Sequence, residues 1–217
     1  MLRNLVSALC FGLYGNGAVA CDTALILTID VSNSVDVGEW RLQKNGLVDA
    51  LRDAEIVHAM IQNRAAMMVI QWSGEDRQEV SIPWRRIGNE FDAALFANEA
   101  ADMERAFVLS DTAPAEAIYF SLEQFDEVPD CRRKVIDVSG DGSANAGRNT
   151  VTARNVAERA GVTINGIAIE SMGVAITNYY QRSIITRDGF VLTARMHWDY
   201  PRAIRQKIIR ELSRMLF

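Results

Sequence analysis

The residues from Ala24 to Ser34 read Ala-Leu-Ile-Leu-Thr-Ile-Asp-Val-Ser-Asn-Ser, and this stretch decides the fold. Its first six residues are almost all apolar and do not alternate with polar ones, which is typical of a strand buried on both faces in the middle of a parallel sheet. Asp30 ends the apolar run, and Ser32 and Ser34 follow it at alternate positions. A buried strand that runs directly into polar side chains predicts a ligand site at the carboxyl edge of a sheet.

The rest of the chain alternates between short apolar runs and longer segments of helical period. Further strands are expected at 66–72, 133–139, 162–169 and 190–196, a short antiparallel edge strand at 79–84, and helices at 37–62, 89–103, 113–125, 150–160, 176–185 and 201–215. This order predicts an α/β fold: a Rossmann-like, open, mostly parallel central sheet of about six strands with helices on both faces. Since no repeat or Ser/Pro-rich linker interrupts it, we expect a single domain over residues 21–217.

Length and composition exclude several classes of protein. The chain has 217 residues, of which 49% are hydrophobic and 24% charged, as in ordinary globular proteins. Its formal net charge is −5, and no basic patch is evident. Neither a nucleic acid nor an anionic membrane surface is therefore an expected partner.

The first twenty residues have the pattern of a secretory signal peptide. Arg3 gives a positive start, residues 5–13 are mostly apolar, and Ala18-Val19-Ala20 is a small-residue cleavage site before Cys21. We therefore expect residues 1–20 to be removed and the protein to be periplasmic or secreted. A lipoprotein anchored through Cys21 is an alternative. No other stretch is long and apolar enough to span a membrane.

Polar residues that supply only oxygen ligands are expected to meet at one edge of the sheet. Asp30, Ser32 and Ser34 follow the first strand, Asp141 follows the strand at 133–139, and Thr112 precedes a predicted helix. Oxygen donors without imidazole or thiolate favour Mg²⁺, Ca²⁺ or Mn²⁺. The alternative is that the serines cap the next helix and that Asp141 is only a turn residue.

This set of residues resembles the metal-ion-dependent adhesion site (MIDAS) of von Willebrand factor type A (VWA) domains. Over the whole length after residue 20, the chain is most similar to the small exported bacterial proteins that consist of this domain alone (DUF1194-like). The resemblance implies that Ser32, Ser34 and Thr112 bind Mg²⁺, or Ca²⁺ or Mn²⁺, through their hydroxyls, and that Asp30 and Asp141 act largely through water. It also implies that a Glu or Asp of a protein partner completes the coordination.

The threonine position departs from the family pattern. The family often has a glycine before the threonine, whereas this chain has Asp111, which is either a further carboxylate of the site or a helix cap. Ser110 is an alternative to Thr112 for the same role.

The cysteines predict one disulfide. Cys21 lies nine residues before Asp30, and Cys131 lies ten residues before Asp141. On adjacent parallel strands aligned by their carboxyl ends, the two sulfurs meet at the opposite edge, within reach of a bridge. Cys10 would leave with the signal peptide. Two separate thiols are the alternative.

An enzymatic function is the alternative interpretation of the sequence. The chain has only two histidines, His58 in a helix and His197 at the end of the last strand, at an edge expected to be remote from Asp30. It has neither a Gly-x-Ser-x-Gly elbow nor a phosphate-binding loop. We therefore expect a binding module rather than an enzyme, with a metal-dependent hydrolase or phosphatase on a similar sheet as the alternative. The sequence does not fix the oligomeric state.

Overall fold

The computed structural model describes residues 21–171 and 173–213. The signal peptide predicted at 1–20 lies outside the described residues. The strands are β1 (Thr23–Asp30), β2 (Ala66–Trp72), β3 (Gln78–Arg86), β4 (Arg133–Gly140), β5 (Val162–Glu170) and β6 (Val191–Arg195). The helices are α1 (Val37–Arg52), α2 (Ala54–Gln62), α3 (Glu90–Asp102), α4 (Pro114–Gln124), α5 (Thr150–Arg159), α6 (Ala175–Tyr179) and α7 (Tyr200–Ser213). Short helical turns cover 125–127, 180–184 and 197–199.

The sheet has six strands in the order β3-β2-β1-β4-β5-β6. All neighbours are parallel except β2 and β3, so the predicted antiparallel edge strand and the mostly parallel sheet are confirmed. β1 lies in the middle, and all eight of its residues are buried. The chain first leaves β1 towards β2 and later returns on the other side as β4. The order of strands therefore reverses between β1 and β4, which is where ligands bind in open α/β sheets.

Alternate residues of β1 point into two separate cores. Leu25, Leu27 and Ile29 pack with the helices α1, α2, α3 and α7 on one face. Ala24 and Ile26 pack with α4, α5 and the turn at 180–184 on the other face. The period of two along a strand explains this division. Because both faces are covered, β1 is buried along its whole length.

One predicted helix is in fact two. The sequence predicts a single helix over 37–62, but α1 ends and α2 begins at Asp53, which has an extended backbone conformation (φ −66°, ψ 129°). The Asp53 carboxylate accepts hydrogen bonds from the backbone N–H groups of Glu55 and Ile56. It also forms an ion pair with Arg205 of α7. An aspartate that caps the next helix competes with helical continuation, and the period of the apolar residues does not reveal this.

A disulfide joins Cys21 to Cys131 at the amino-terminal edge of the sheet, with Cα atoms 4.3 Å apart. Thr23 of β1 pairs with Arg133 of β4, so the strand register brings the two cysteines opposite each other. The bridge lies at the end of β1 opposite to Asp30. Within the described parts of the chain, no helix has both the length and the apolar character needed to cross a membrane.

Candidate metal centre

Three hydroxyl groups lie side by side at the carboxyl edge of β1 and β4. Thr112 Oγ1 is 3.1 Å from Ser32 Oγ, which is 3.2 Å from Ser34 Oγ. We call Ser32, Ser34 and Thr112 the hydroxyl cluster. Ligand atoms on adjacent corners of an octahedral Mg²⁺ site lie about 2.9 Å apart, because each bond is about 2.0–2.1 Å long. The spacing of the hydroxyl cluster is therefore close to what such an ion requires.

The two predicted aspartates flank the hydroxyl cluster. Asp141 Oδ1 accepts a hydrogen bond of 2.6 Å from Ser34 Oγ. Asp30 lies below, fully buried, and its Oδ1 accepts the backbone N–H of Ser32 at 2.8 Å. The structure thus brings Asp30, Ser32, Ser34, Thr112 and Asp141 together at one point of the sheet edge.

The second carboxylate oxygen of Asp30 has no hydrogen-bond partner in the part of the chain that the structure describes. Asp30 Oδ2 is buried, and no described residue forms a hydrogen bond with it. The pKa of Asp30 is raised to about 7, mainly by burial and to a smaller extent by the carboxylate of Asp141, while the hydrogen bonds from Ser32 oppose the rise. A buried carboxylate without compensation is costly, and a nearby cation stabilises its ionised form. The residues present therefore fit a divalent ion in their charge as well as in their spacing.

The serines do not cap α1. Asp36 caps that helix, since its carboxylate accepts the N–H of Glu39 while Glu39 Oε2 accepts the N–H of Asp36, both at 2.8 Å. This reciprocal arrangement is a capping box. The hydroxyls of Ser32 and Ser34 consequently remain at the site, and the alternative interpretation of these serines as helix caps does not describe the structure.

Thr112, rather than Ser110, belongs to the hydroxyl cluster. The Ser110 hydroxyl accepts the N–H of Gly74 at 3.2 Å and so faces the turn after β2. Among the residues that the structure describes, none caps the amino end of α4 with a side chain, so Asp111 is not a helix cap. Asp111 is exposed and lines the same hollow as Thr112.

Three residues that the sequence analysis missed hold the loops of the site in place. Asn145 Oδ1 accepts the N–H of Thr112 at 2.8 Å, and the Asn145 N–H donates to the Thr112 carbonyl at 3.0 Å. Arg105 donates to the carbonyls of Val31 and Ser32. Buried Gln71 at the end of β2 binds backbone groups of residues 104 and 106. Such contacts between distant loops have no signal in a single sequence.

Gly140 and Tyr180 close the site from below. A Cβ atom on Gly140 would lie 2.7 Å from Tyr180 Oη and 2.9 Å from Asp30 Oδ2, so only glycine fits beside the buried carboxylate. Tyr180 is fully buried, and burial raises the pKa of its phenol well above the usual value, with smaller contributions from Asp30 and Asp141. The phenol is therefore uncharged and lines the site.

His197 is nearer to the site than the sequence analysis expects. It follows β6, but the turn at 197–199 packs against α1 and returns the chain towards the site. His197 Nε2 lies 4.0 Å from Asp141 Oδ2, and Nδ1 lies 3.0 Å from Glu39 Oε1. The expectation that this histidine lies at a remote edge is therefore wrong, because strand position alone does not describe where the following turn leads.

One family model matches nearly the whole chain. The model of the family described as "Protein of unknown function (DUF1194)" matches residues 20–216. The chain belongs to this family. No curated protein matches this DUF1194 chain.

Solved structures that are similar to this DUF1194 chain include VWA proteins. Proximal thread matrix protein 1 from the mussel byssus has 16% identity and a TM-score of 0.66, over 87% of this chain and 47% of that chain. The pilus adhesin SpaC from Lactobacillus rhamnosus GG has 12% identity and a TM-score of 0.64, over 90% of this chain and 31% of that chain. A von Willebrand factor type A protein from Catenulispora acidiphila has 14% identity and a TM-score of 0.61, over 89% of this chain and 42% of that chain.

These similarities establish the fold. At such low identity they show that this DUF1194 chain has the Rossmann-like α/β fold of VWA domains, as predicted from its sequence. A further structure of the mussel protein has zinc in its MIDAS motif, with 14% identity and a TM-score of 0.63 over 88% of this chain and 46% of that chain. The chain spans less than half the length of each of these proteins.

Proposed function

We propose that this protein is an exported binding module, not an enzyme, that holds a divalent cation and docks an acidic group of a protein partner. Mg²⁺ is the favoured ion, with Ca²⁺ and Mn²⁺ as alternatives. Ser32, Ser34 and Thr112 are its hydroxyl ligands, and Asp30 and Asp141 supply the negative charge. The observation that carries the proposal is the hydroxyl cluster, whose spacing is close to octahedral, above an Asp30 oxygen that has no partner among the described residues.

The chemistry of the ligands supports an acidic partner. Hydroxyls are neutral and neutralise little of the charge of the ion, so a bound cation keeps affinity for an incoming carboxylate. The hydroxyl cluster is also open on one side. A hollow of about 470 Å³ is bordered by Asn33, Ser34, Leu109, Asp111 and Thr112. A side chain of a partner therefore has room to reach the ion.

An apolar side chain stands beside this opening. Leu109 is 85% exposed and has a left-handed backbone conformation (φ 52°), which is uncommon for a bulky residue. We expect it to contact an apolar residue next to the acidic one in the partner. Leu109→Ser should then weaken partner binding and leave cation binding unchanged.

Export is supported by the disulfide and by the predicted signal peptide. A structural disulfide is typical of oxidising compartments. The bridge between Cys21 and Cys131 closes the amino-terminal edge of β1 and β4, and it favours the periplasmic or secreted form over one that is anchored through a lipid on Cys21.

The alternative enzymatic function has less support. A phosphotransfer with Asp30 as nucleophile would need a lysine at the strand ends. Lys44 binds a carbonyl of α3, Lys134 lies over Phe125, and Lys207 is buried against Asp137. All three lysines of the sequence are thus engaged elsewhere.

Peptide selection tests the proposal. A random peptide library is selected on the immobilised protein in Mg²⁺ and eluted with EDTA. The selected peptides should contain an Asp or Glu whose replacement by Asn or Gln abolishes binding, and Ser32→Ala should bind none of them. Ser143→Ala, an exposed serine in the loop after β4, is the matched control and should bind them all. Peptides that bind equally well in EDTA, or that lack an essential acid, would contradict the proposal.

A further inference from the structure

A second group of potential metal ligands lies beside the hydroxyl cluster. Ligand atoms of Glu39, Asp141 and His197 lie within 4.8 Å of one another. The His197 side chain is only 7% exposed. Its Nε2 atom is buried and has no hydrogen-bond partner within the described residues. An unpartnered buried nitrogen beside two carboxylates requires an explanation.

The contact with Glu39 determines which nitrogen of His197 carries a lone pair. An ionised carboxylate only accepts hydrogen bonds, so Glu39 Oε1, 3.0 Å from Nδ1, favours the tautomer of the neutral imidazole that carries its proton on Nδ1. In the neutral imidazole, Nε2 is then the acceptor. It faces Asp141 Oδ2, which is another acceptor, at 4.0 Å. In this tautomer two acceptors face each other, no donor of the described residues lies between them, and a cation there would satisfy both.

Glu39 is well suited to orient the histidine. Its Oε2 atom accepts the N–H of Asp36 in the capping box, so the carboxylate is fixed at the start of α1. Metal-binding histidines commonly donate their other ring N–H to a carboxylate, which fixes the tautomer and the orientation of the ring. His197 Nδ1 and Glu39 Oε1, 3.0 Å apart, are close enough for this arrangement.

We propose that His197 Nε2 and Asp141 Oδ2 bind a transition-metal ion of the Zn²⁺ class, with Glu39 as the orienting residue and water in the remaining positions. Bonds from zinc to nitrogen and oxygen are about 2.0–2.2 Å long, so two ligands of one ion lie at most about 4.2 Å apart. Adjacent ligands of a tetrahedral ion lie about 3.4 Å apart, so binding would draw the two side chains about 0.6 Å closer than the observed 4.0 Å. Imidazole favours zinc, copper and nickel, whereas the oxygen-only hydroxyl cluster favours Mg²⁺.

Asp141 connects the two sites. Its Oδ1 atom contacts Ser34 of the hydroxyl cluster, and its Oδ2 atom faces His197. The second site goes beyond the proposed function, because it needs no partner protein and no ion in the hydroxyl cluster. The protein would thus hold two cations of different classes that share one carboxylate.

Metal binding by the tag-free protein in excess Mg²⁺ tests the proposal. We expect calorimetry to show one Zn²⁺ bound, and the electron paramagnetic resonance spectrum of Cu²⁺ in its place to show coupling to nitrogen. His197→Gln should abolish zinc binding and the nitrogen coupling. His58→Gln removes the other histidine, which is exposed on α2, and should leave both unchanged. A wild type that binds no zinc, or zinc binding that survives in His197→Gln, would overturn the proposal.

Two more variants separate this site from other effects. Glu39→Gln keeps the imidazole and a residue that is acceptable in a capping box, and it should weaken zinc binding about tenfold or more. Unchanged zinc affinity in this variant would refute the role of Glu39. In Ser32→Ala, Mg²⁺ should no longer stabilise the protein, but zinc should still bind. Loss of zinc binding in both Ser32→Ala and His197→Gln would mean that only one site exists and would overturn the proposal of a second one.

Discussion

Single residues determine whether the candidate metal centre is formed, and Gly140 is the most sensitive of them. In Gly140→Ala, the new methyl group would overlap Tyr180 Oη and Asp30 Oδ2. Such overpacking costs about 1–3 kcal/mol. We therefore expect a lower stability in denaturant unfolding and a smaller stabilisation by Mg²⁺. Adding Tyr180→Phe should recover part of the loss, because it removes one of the two overlaps.

Gly142→Ala is the matched control for this prediction. A Cβ atom on Gly142 would be 3.5 Å from the Thr112 methyl group, which is an ordinary contact. It should therefore change stability by no more than about 0.5 kcal/mol. Equal effects of the two substitutions would show that the space around Asp30 is not critical.

The residues of the site differ in how visible they are in the sequence. Asp30, Ser32, Ser34 and Asp141 can be predicted because they directly follow buried strands, and a parallel sheet brings such positions to one edge. Asn145, Arg105 and Gln71 act through contacts between loops, which no local pattern encodes. His197 was misplaced for the same reason.

At the scale of elements, α7 is held by a buried cluster of charges. Lys207 of α7 forms ion pairs with Asp137 of β4 at 2.5 Å and with Glu211 at 2.7 Å, and all three side chains are almost fully buried. Lys207→Met leaves the two carboxylates without a cation, so we expect a loss of about 3–5 kcal/mol in urea unfolding. Gln206→Met, at the exposed neighbouring position, should cost about 0.5 kcal/mol or less. A similarly small effect of Lys207→Met would refute this role of the cluster.

The break between α1 and α2 is a second feature at this scale. Asp53→Ala removes the cap of α2 and the ion pair with Arg205. Since loss of such a cap costs about 0.5–2 kcal/mol, urea unfolding should show a decrease in this range. Asp49→Ala, an exposed position on α1, is the control and should have little effect. An unchanged stability of Asp53→Ala would mean that packing alone separates the two helices.

Most element boundaries agree with the sequence, because the periods of strands and helices differ clearly. The strand predicted at 66–72 coincides with β2, and the helix predicted at 113–125 is α4 extended by one residue at each end. The single predicted helix over 37–62 is the main error. Apolar residues continue across Asp53 with a helical period, and only the capping hydrogen bonds interrupt the helix.

For the whole molecule, charge predicts how stability depends on pH. Burial raises the pKa values of Asp30 and Asp137 to about 7. The folded state therefore binds these protons more tightly than the unfolded state, and the free energy of unfolding should decrease as the pH rises from about 4 to 7. Arginine partners lower the pKa values of Asp53, Glu116 and Asp199. Their contribution is present above about pH 4 and is lost as the pH falls through their lowered values.

The metal-free protein should consequently be more stable near pH 5 than near pH 8. Urea unfolding in metal-depleted buffers measures this, and Asp30→Asn should reduce the difference. A stability that increases from pH 5 to pH 8 would contradict the raised pKa values of these carboxyls.

The disulfide is expected to affect stability without affecting the site. It joins residues 110 apart in the sequence, and a bridge over a loop of this length contributes about 4–5 kcal/mol. The double variant Cys21→Ser/Cys131→Ser should therefore unfold at a lower temperature but keep its response to Mg²⁺, because the bridge lies at the edge of the sheet opposite to Asp30. A loss of the response would show that the two edges are coupled.

The central claim is that the hydroxyl cluster binds a divalent cation, and thermal unfolding in EDTA and then in Mg²⁺ tests it most directly. At about 100 times its dissociation constant, an ion that binds only the folded state adds about 2.7 kcal/mol. We expect the wild type and Ser143→Ala to be stabilised by Mg²⁺ to this extent and Ser32→Ala not to be. An unchanged unfolding temperature of the wild type, or an equal increase in Ser32→Ala, would contradict the claim.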